Sequence, residues 1–183
     1  LDYAGRRVVV IGSGATAVTL VPAMAAKAAR VTMLQRSPSH IAPLPARNAV
    51  ASLLAGLPPA RLGHRLARAY MAGTSMLFYR LSRHRPALVR KLIRLGQRKY
   101  LPADYAYDEH LNPRYRPWDQ RLCVVPDGDL FQAVREGHAE IVTGEIERFV
   151  EDGVLLTCGR VLPADLIVAA TGLKLLALGG LRL

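Results

Sequence analysis

The chain has 183 residues, 51% of them hydrophobic, and a formal net charge of +11. That is enough apolar material for one domain with a buried core, and it excludes disordered, fibrous and low-complexity classes. Two cysteines, Cys123 and Cys158, fit neither a disulfide framework nor a zinc spacing, and neither a signal peptide nor an apolar run of roughly 20 residues is visible, so a reducing, cytoplasmic setting is expected.

In chain order, Arg7 to Ile11 contains three consecutive valines and reads as a strand buried on both faces. Gly14 to Ala28 predicts a helix, interrupted by Pro22, with Val18, Leu20, Val21 and Met24 as packing residues. Val31 to Gln35 predicts a second strand, and the βαβ start implies a parallel sheet. Prolines break the pattern from Ser37 to Pro45. A helical region follows from about Asn48 to Tyr100, divided by Pro58-Pro59 and Pro86, and we take residues 46–101 as a helical insert. Its expected apolar faces are Leu62, Leu66, Ala69 and Tyr70, then Leu88, Leu92 and Leu95. Residues 102–117 read as an irregular loop. Leu122 to Val125 predicts a strand, and Asp127 or Asp129 predicts the cap of a helix ending at Gly137. Glu140 to Thr143 predicts a further strand, and three short antiparallel strands turn at Asp152-Gly153 and Cys158-Gly159. Asp165 to Ala169 closes the set as a buried strand. The expected fold class is α/β: a Rossmann-like parallel sheet with a small antiparallel meander and the helical insert.

The charge is unevenly spread, with 17 Lys and Arg but no Asp or Glu from Tyr3 to Ala103. Such asymmetry accompanies nucleic-acid binding, an anionic membrane or a partner domain holding the balancing acids; an Arg-, Ala- and Leu-rich composition also follows from GC-rich coding. No basic–aromatic interleaving supports a nucleic-acid partner, and none is expected. The stretch from Ala69 to Leu81 fits either a helix at a membrane surface or a core or interface helix. The five histidines form no metal-ligand spacing, so no metal is expected.

The turn Gly12-Ser13-Gly14-Ala15-Thr16-Ala17 follows a strand and opens a helix, as a dinucleotide-binding G-x-G-x-x-A turn does. Gly12 permits the turn, Gly14 lets the backbone approach a pyrophosphate, and Ala17 lets the helix pack on the strand. The helix start offers N–H groups and a positive dipole end to phosphate. The second strand ends in Leu34-Gln35-Arg36-Ser37, with no acid to accept from a ribose. Arg36 suits a 2′-phosphate and Ser37 adds a hydroxyl, so the expected cofactor is NADP(H); a solvated surface Arg36 is the alternative.

These motifs occur in order with Pro117-Trp118-Asp119-Gln120-Arg121-Leu122-Cys123, Pro126-Asp127-Gly128-Asp129-Leu130-Phe131 and Ala170-Thr171-Gly172-Leu173. The set resembles the NADPH-binding half of the flavin-dependent monooxygenases that include the flavin-containing and Baeyer–Villiger enzymes. The resemblance implies an outer FAD domain, an NADPH domain with a helical subdomain, and oxygenation of an organic substrate by O2 after NADPH has reduced the flavin. It implies that Gln120-Arg121 aligns with a Lys-Arg pair of the Baeyer–Villiger members. Arg121 is then the catalytic candidate, stabilising negative charge on the oxygenated flavin and orienting the nicotinamide, with an ion pair to Asp119 or another acid as the alternative. Gln120 in place of Lys removes one cation near the 2′-phosphate. Thr171 and Gly172 end a strand where ligands approach an open sheet. The chain starts at Leu1 and has no second G-x-G-x-x-G for FAD, so the expectation is part of a longer enzyme, inactive by itself. A self-standing NADP-binding module or subunit is the alternative.

Overall fold

The computed structural model describes residues 2–120 and 122–172. The chain begins with β1 (Arg7–Ile11), α1 (Ala15–Ala25), β2 (Arg30–Gln35) and β3 (His40–Leu44). Three helices follow, α2 (Ala49–Ala55), α3 (Ala60–His84) and α4 (Pro86–Arg98), then a single turn, α5 (Tyr107–His110). Next come β4 (Leu122–Pro126), α6 (Asp129–Arg135) and β5 (Ala139–Thr143), and then β6 (Ile146–Val150), β7 (Gly153–Leu156), β8 (Val161–Pro163) and β9 (Leu166–Ala169).

The main sheet is parallel throughout, in the order β5-β2-β1-β9, with Val8 opposite Val31 and Leu166. The consecutive valines of β1 are explained by layers on both faces. Val8 and Val10 join Val21 and Met24 of α1 and Phe131 of α6 in one cluster, while Val9 joins Val154, Leu156 and Leu162 of the meander in another. The antiparallel meander β6-β7-β8 is thus the lid of the second face. Strand β9, paired with β1, is the edge of this sheet among the described residues and only half-buried, not the fully buried strand its composition suggested. Asp165 ties that edge to β1: its carboxylate accepts from the Arg7 backbone N–H at 2.8 Å and from the Arg7 guanidinium, which holds its pKa down at about 2.

Two features differ from the sequence reading in the connecting segments. Residues 40–44, where prolines appeared to break the pattern, form β3, which pairs in parallel with β4 as a separate sheet. Proline is compatible with a strand that lacks a second neighbour, because its missing N–H breaks no ladder. Residues 102–117 are not wholly irregular, since α5 puts Tyr107 and Leu111 into the core. The cap of α6 is also different. Gly128 is the N-cap at φ 70, with no side-chain cap, and Asp127 Oδ1 instead accepts from the Ala46 N–H at 3.0 Å.

The helices carry the largest correction. Gly63 of α3 lies against the end of α2, where a Cβ would meet the Leu57 carbonyl oxygen at 2.6 Å. Beyond this crossing, α3 buries only Ser82, and Leu62, Leu66 and Ala69 are exposed. On α4 the buried residues are Val89, Ile93 and Gln97, each rotated from the expected stripe of Leu88, Leu92 and Leu95, which is exposed. Both stripes have helical periodicity, so spacing alone did not choose between them. Gln97 decides the orientation: its Nε2 donates to the Ile41 carbonyl at 2.7 Å, and its Oε1 accepts from the Tyr107 hydroxyl at 2.5 Å. A buried amide satisfied at both ends locks α4 onto β3, and Val89 and Ile93 then pack on Ala42 with Phe78 and Leu81.

This orientation predicts that Ile93→Ala costs about 2–4 kcal/mol while Leu92→Ala stays within about 0.5 kcal/mol. Urea unfolding of the two variants checks it.

Candidate nucleotide-binding cleft

A cleft of about 620 Å³ opens at the carboxyl ends of the parallel strands. That volume lies inside the range of small-molecule and cofactor sites, and the place is where open α/β sheets receive ligands. Its floor is the turn after β1. Gly12 has φ 131, and a Cβ there would stand 2.5 Å from the Ala170 carbonyl oxygen. Only glycine fits, because the end of β1 and the end of β9 pass in contact. The Gly12 N–H donates to the Leu34 carbonyl at 2.8 Å, tying the turn to β2 as well.

Helix α1 starts directly after this turn. Gly14 is its N-cap and makes no side-chain cap, and no acid stands in the first turn. The first-turn amides therefore lack a side-chain partner, Ala15 and Thr16 are exposed, and the dipole end is not neutralised. Ala17 is buried, which allows α1 to lie close on the sheet.

Of the residues expected from sequence, Gly12, Ser13, Arg36, Ser37, Gln120 and Thr171 come together around the cleft. Gly14, Ala15, Thr16 and Ala17 form the adjoining helix start. Gly172 follows Thr171 at φ 99, and among the described residues its Cβ position is open to 4 Å. Arg36 is exposed and, among the described residues, makes no hydrogen bond or ion pair. A guanidinium without an acid partner beside uncapped helix amides is suited to phosphate. Arg121 lies outside the described residues. Asp119, an alternative partner for it, pairs with Arg83 at 2.6 Å, and that hydrogen bond lowers the Asp119 pKa.

Three cleft residues with polar side chains escaped the sequence reading: Ser39, Tyr115 and Glu145. Ser39 is buried, and its hydroxyl shares a 2.8 Å hydrogen bond with that of Ser13. From β4, the Cys123 thiol reaches the Ser13 carbonyl at 3.7 Å. Tyr115 is held by His40, whose backbone N–H donates to the Tyr115 hydroxyl at 3.2 Å and whose ring Nε2 lies 3.0 Å from the Tyr115 carbonyl oxygen. Burial lowers the His40 pKa, keeping that imidazole neutral at neutral pH. The Ser37-Pro38-Ser39 hydroxyls were the one local signal for Ser39; nothing local marked Tyr115 or Glu145.

The parallel sheet, glycine turn and small meander define a Rossmann-like α/β domain with a cleft at the strand ends. No family profile matches the chain. It is 48% identical over its whole length to the probable FAD-binding monooxygenase AlmA of Acinetobacter baylyi, and 46% identical to the FAD-containing monooxygenase EthA of Mycolicibacterium smegmatis. It spans 36% and 37% of the lengths of those two relatives. A solved steroid monooxygenase bound to NADP superposes on 94% of the chain with a TM-score of 0.65 at 21% identity, and the match covers 40% of that protein. Over its whole length the chain is thus similar to a portion of these FAD-containing monooxygenases.

Because the Gly12 site has no room for a side chain, Gly12→Ala is expected to cost more than about 2 kcal/mol and to separate β1 from β9. Urea unfolding, with amide exchange at Ala170 as the local readout, checks it.

Proposed function

We propose that the chain is the NADPH-binding portion of an FAD-dependent monooxygenase, with residues 46–101 as a helical subdomain inserted in it. The observation carrying the cofactor choice is Arg36, exposed at the cleft without a partner among the described residues, where a ribose-binding acid is absent. The pyrophosphate fits the uncapped amides at the start of α1 above the Gly12 turn. The 2′-phosphate falls to Arg36 and Ser37, and Gln120 and Thr171 line the same cleft. The insert reading is supported by β3 and β4, which pair directly although residues 45–121 intervene: that stretch leaves and returns at one place.

Hydride uptake from NADPH and oxygen activation belong to FAD when it is bound. This chain's part is to bind and orient the nucleotide. Arg121 is assigned, from its motif position, to hold negative charge at the flavin side. The partners under this reading are an organic substrate, O2 and an FAD-binding domain, and the compartment is the cytoplasm.

Calorimetric titration of the chain with NADP+ and NAD+ tests the reading. NADP+ is expected to bind more tightly, and Arg36→Ala to weaken NADP+ by about 10- to 100-fold, the worth of a charged hydrogen bond, with NAD+ unchanged. Equal affinity for the two nucleotides, untouched by Arg36→Ala, overturns it.

A further inference from the structure

Helix α3 presents a surface that the nucleotide site does not use. From Ala69 to Tyr79 it carries no charged residue. Of this segment Tyr70 and Phe78 are partly covered and the rest is exposed, Met76 at 55% and Leu77 at 66%. Thr74 adds little polarity, since its hydroxyl donates back to the Tyr70 and Met71 carbonyls at 2.9 and 3.1 Å. The segment carries no charge and exposes Met71, Met76, Leu77 and Tyr79, with Ser75 as an exposed hydroxyl among them, and an uncharged surface of that size favours a cover.

The charges around it select the cover. Arg61, Arg65 and Arg68 precede the segment and Arg80 and Arg85 follow it, while Arg83 is already paired with Asp119; no acid occurs in the sequence from Tyr3 to Ala103. A second copy of this surface would bring like charges together. An anionic bilayer supplies an apolar phase and negative headgroups in one surface, with arginine stems lying along the apolar layer and their heads in the headgroups. The uncharged segment is about 16 Å long at 1.5 Å per residue, about half of what crossing the hydrocarbon requires, so it suits lying in the interface. Among the described residues no helix is long and apolar enough to cross a membrane. At the rim, the exposed Trp118 ring meets Phe78 and Tyr79 edge-on, with centroids 6.4 and 5.8 Å apart, and both Trp and Tyr favour the headgroup level.

We propose that α3 docks the chain on an anionic lipid bilayer, with the segment from Ala69 to Tyr79 in the interface plane and Trp118 beside it. Trp118 is the only tryptophan in the chain and therefore reports the contact directly. The test adds vesicles of phosphatidylcholine, or of phosphatidylcholine mixed with phosphatidylglycerol, to the nucleotide-free chain at physiological salt. Emission and flotation are both followed. The anionic vesicles are expected to shift Trp118 emission to the blue and carry the chain upward, and the neutral ones to bind at least tenfold more weakly. The double variant Met76→Glu, Leu77→Glu is expected to lose at least tenfold in binding while its thermal midpoint and NADP+ titration stay unchanged. No binding to anionic vesicles, or binding indifferent to that variant, overturns the proposal. So does a dimer that forms in solution through this surface and is dissociated by the same variant. Because the nucleotide titration is separate, failure here leaves the Arg36 reading standing, and the reverse holds.

Discussion

The contact between Gly12 and the Ala170 carbonyl is the constraint on which the rest of the molecule depends. It lets β1 and β9 end side by side, with the Ala170 N–H donating to the Ile11 carbonyl at 2.8 Å and the Gly12 N–H to Leu34. Three strand ends therefore meet at one point, and α1 begins only three residues after Gly12. Its unpaired amides consequently open on the same end of the sheet that presents Arg36. A methyl group at residue 12 would separate these strands and disperse the cleft.

A second, polar layer holds the cleft from the side. Ser39 grips Ser13, and β3 starts at the next residue, so the position of the glycine turn is coupled to the β3–β4 sheet. That sheet in turn carries the helices through Gln97, and an Arg90 nitrogen donates to the Tyr115 carbonyl at 2.7 Å. Burying Gln97 would be costly if either end of its amide lacked a partner. With both ends bonded it instead specifies one orientation of α4 over another of equal apolar periodicity. The exposed leucines of α4 result from this choice.

Much of the architecture was legible in local pattern. The valine run of β1, the glycine turn and the alternation around Asp152-Gly153 each reflect interactions within a few residues, and each appears as read. The candidate cleft was half legible. Gly12, Ser13, Arg36 and Ser37 lie within 26 residues of one another, on one βαβ unit, and their chemistry follows from where such units end. Gln120 and Thr171 were reached only through the ordered motifs of a family resemblance. Ser39, Tyr115 and Glu145 were not reached: the neighbouring Ser37 is a weak signal for Ser39, and a tyrosine in a loop and a glutamate after a strand have no distinctive local pattern.

By itself the sequence determined the βαβ start, the need for glycine at residue 12, the absence of an acid after β2 and the cationic first half of the chain. These depend on backbone sterics, helix and strand period and composition, all of which act without knowledge of distant partners. Tertiary structure decided which face of α4 is buried, that residues 40–44 pair with residues 122–126, and which remote side chains share the cleft. Those outcomes rest on contacts between residues about 80 or more positions apart, such as His40 with Leu122 and Ser13 with Cys123. Equal hydrophobic periodicity permits several such contacts, and the satisfaction of buried polar groups such as Gln97 selects one of them.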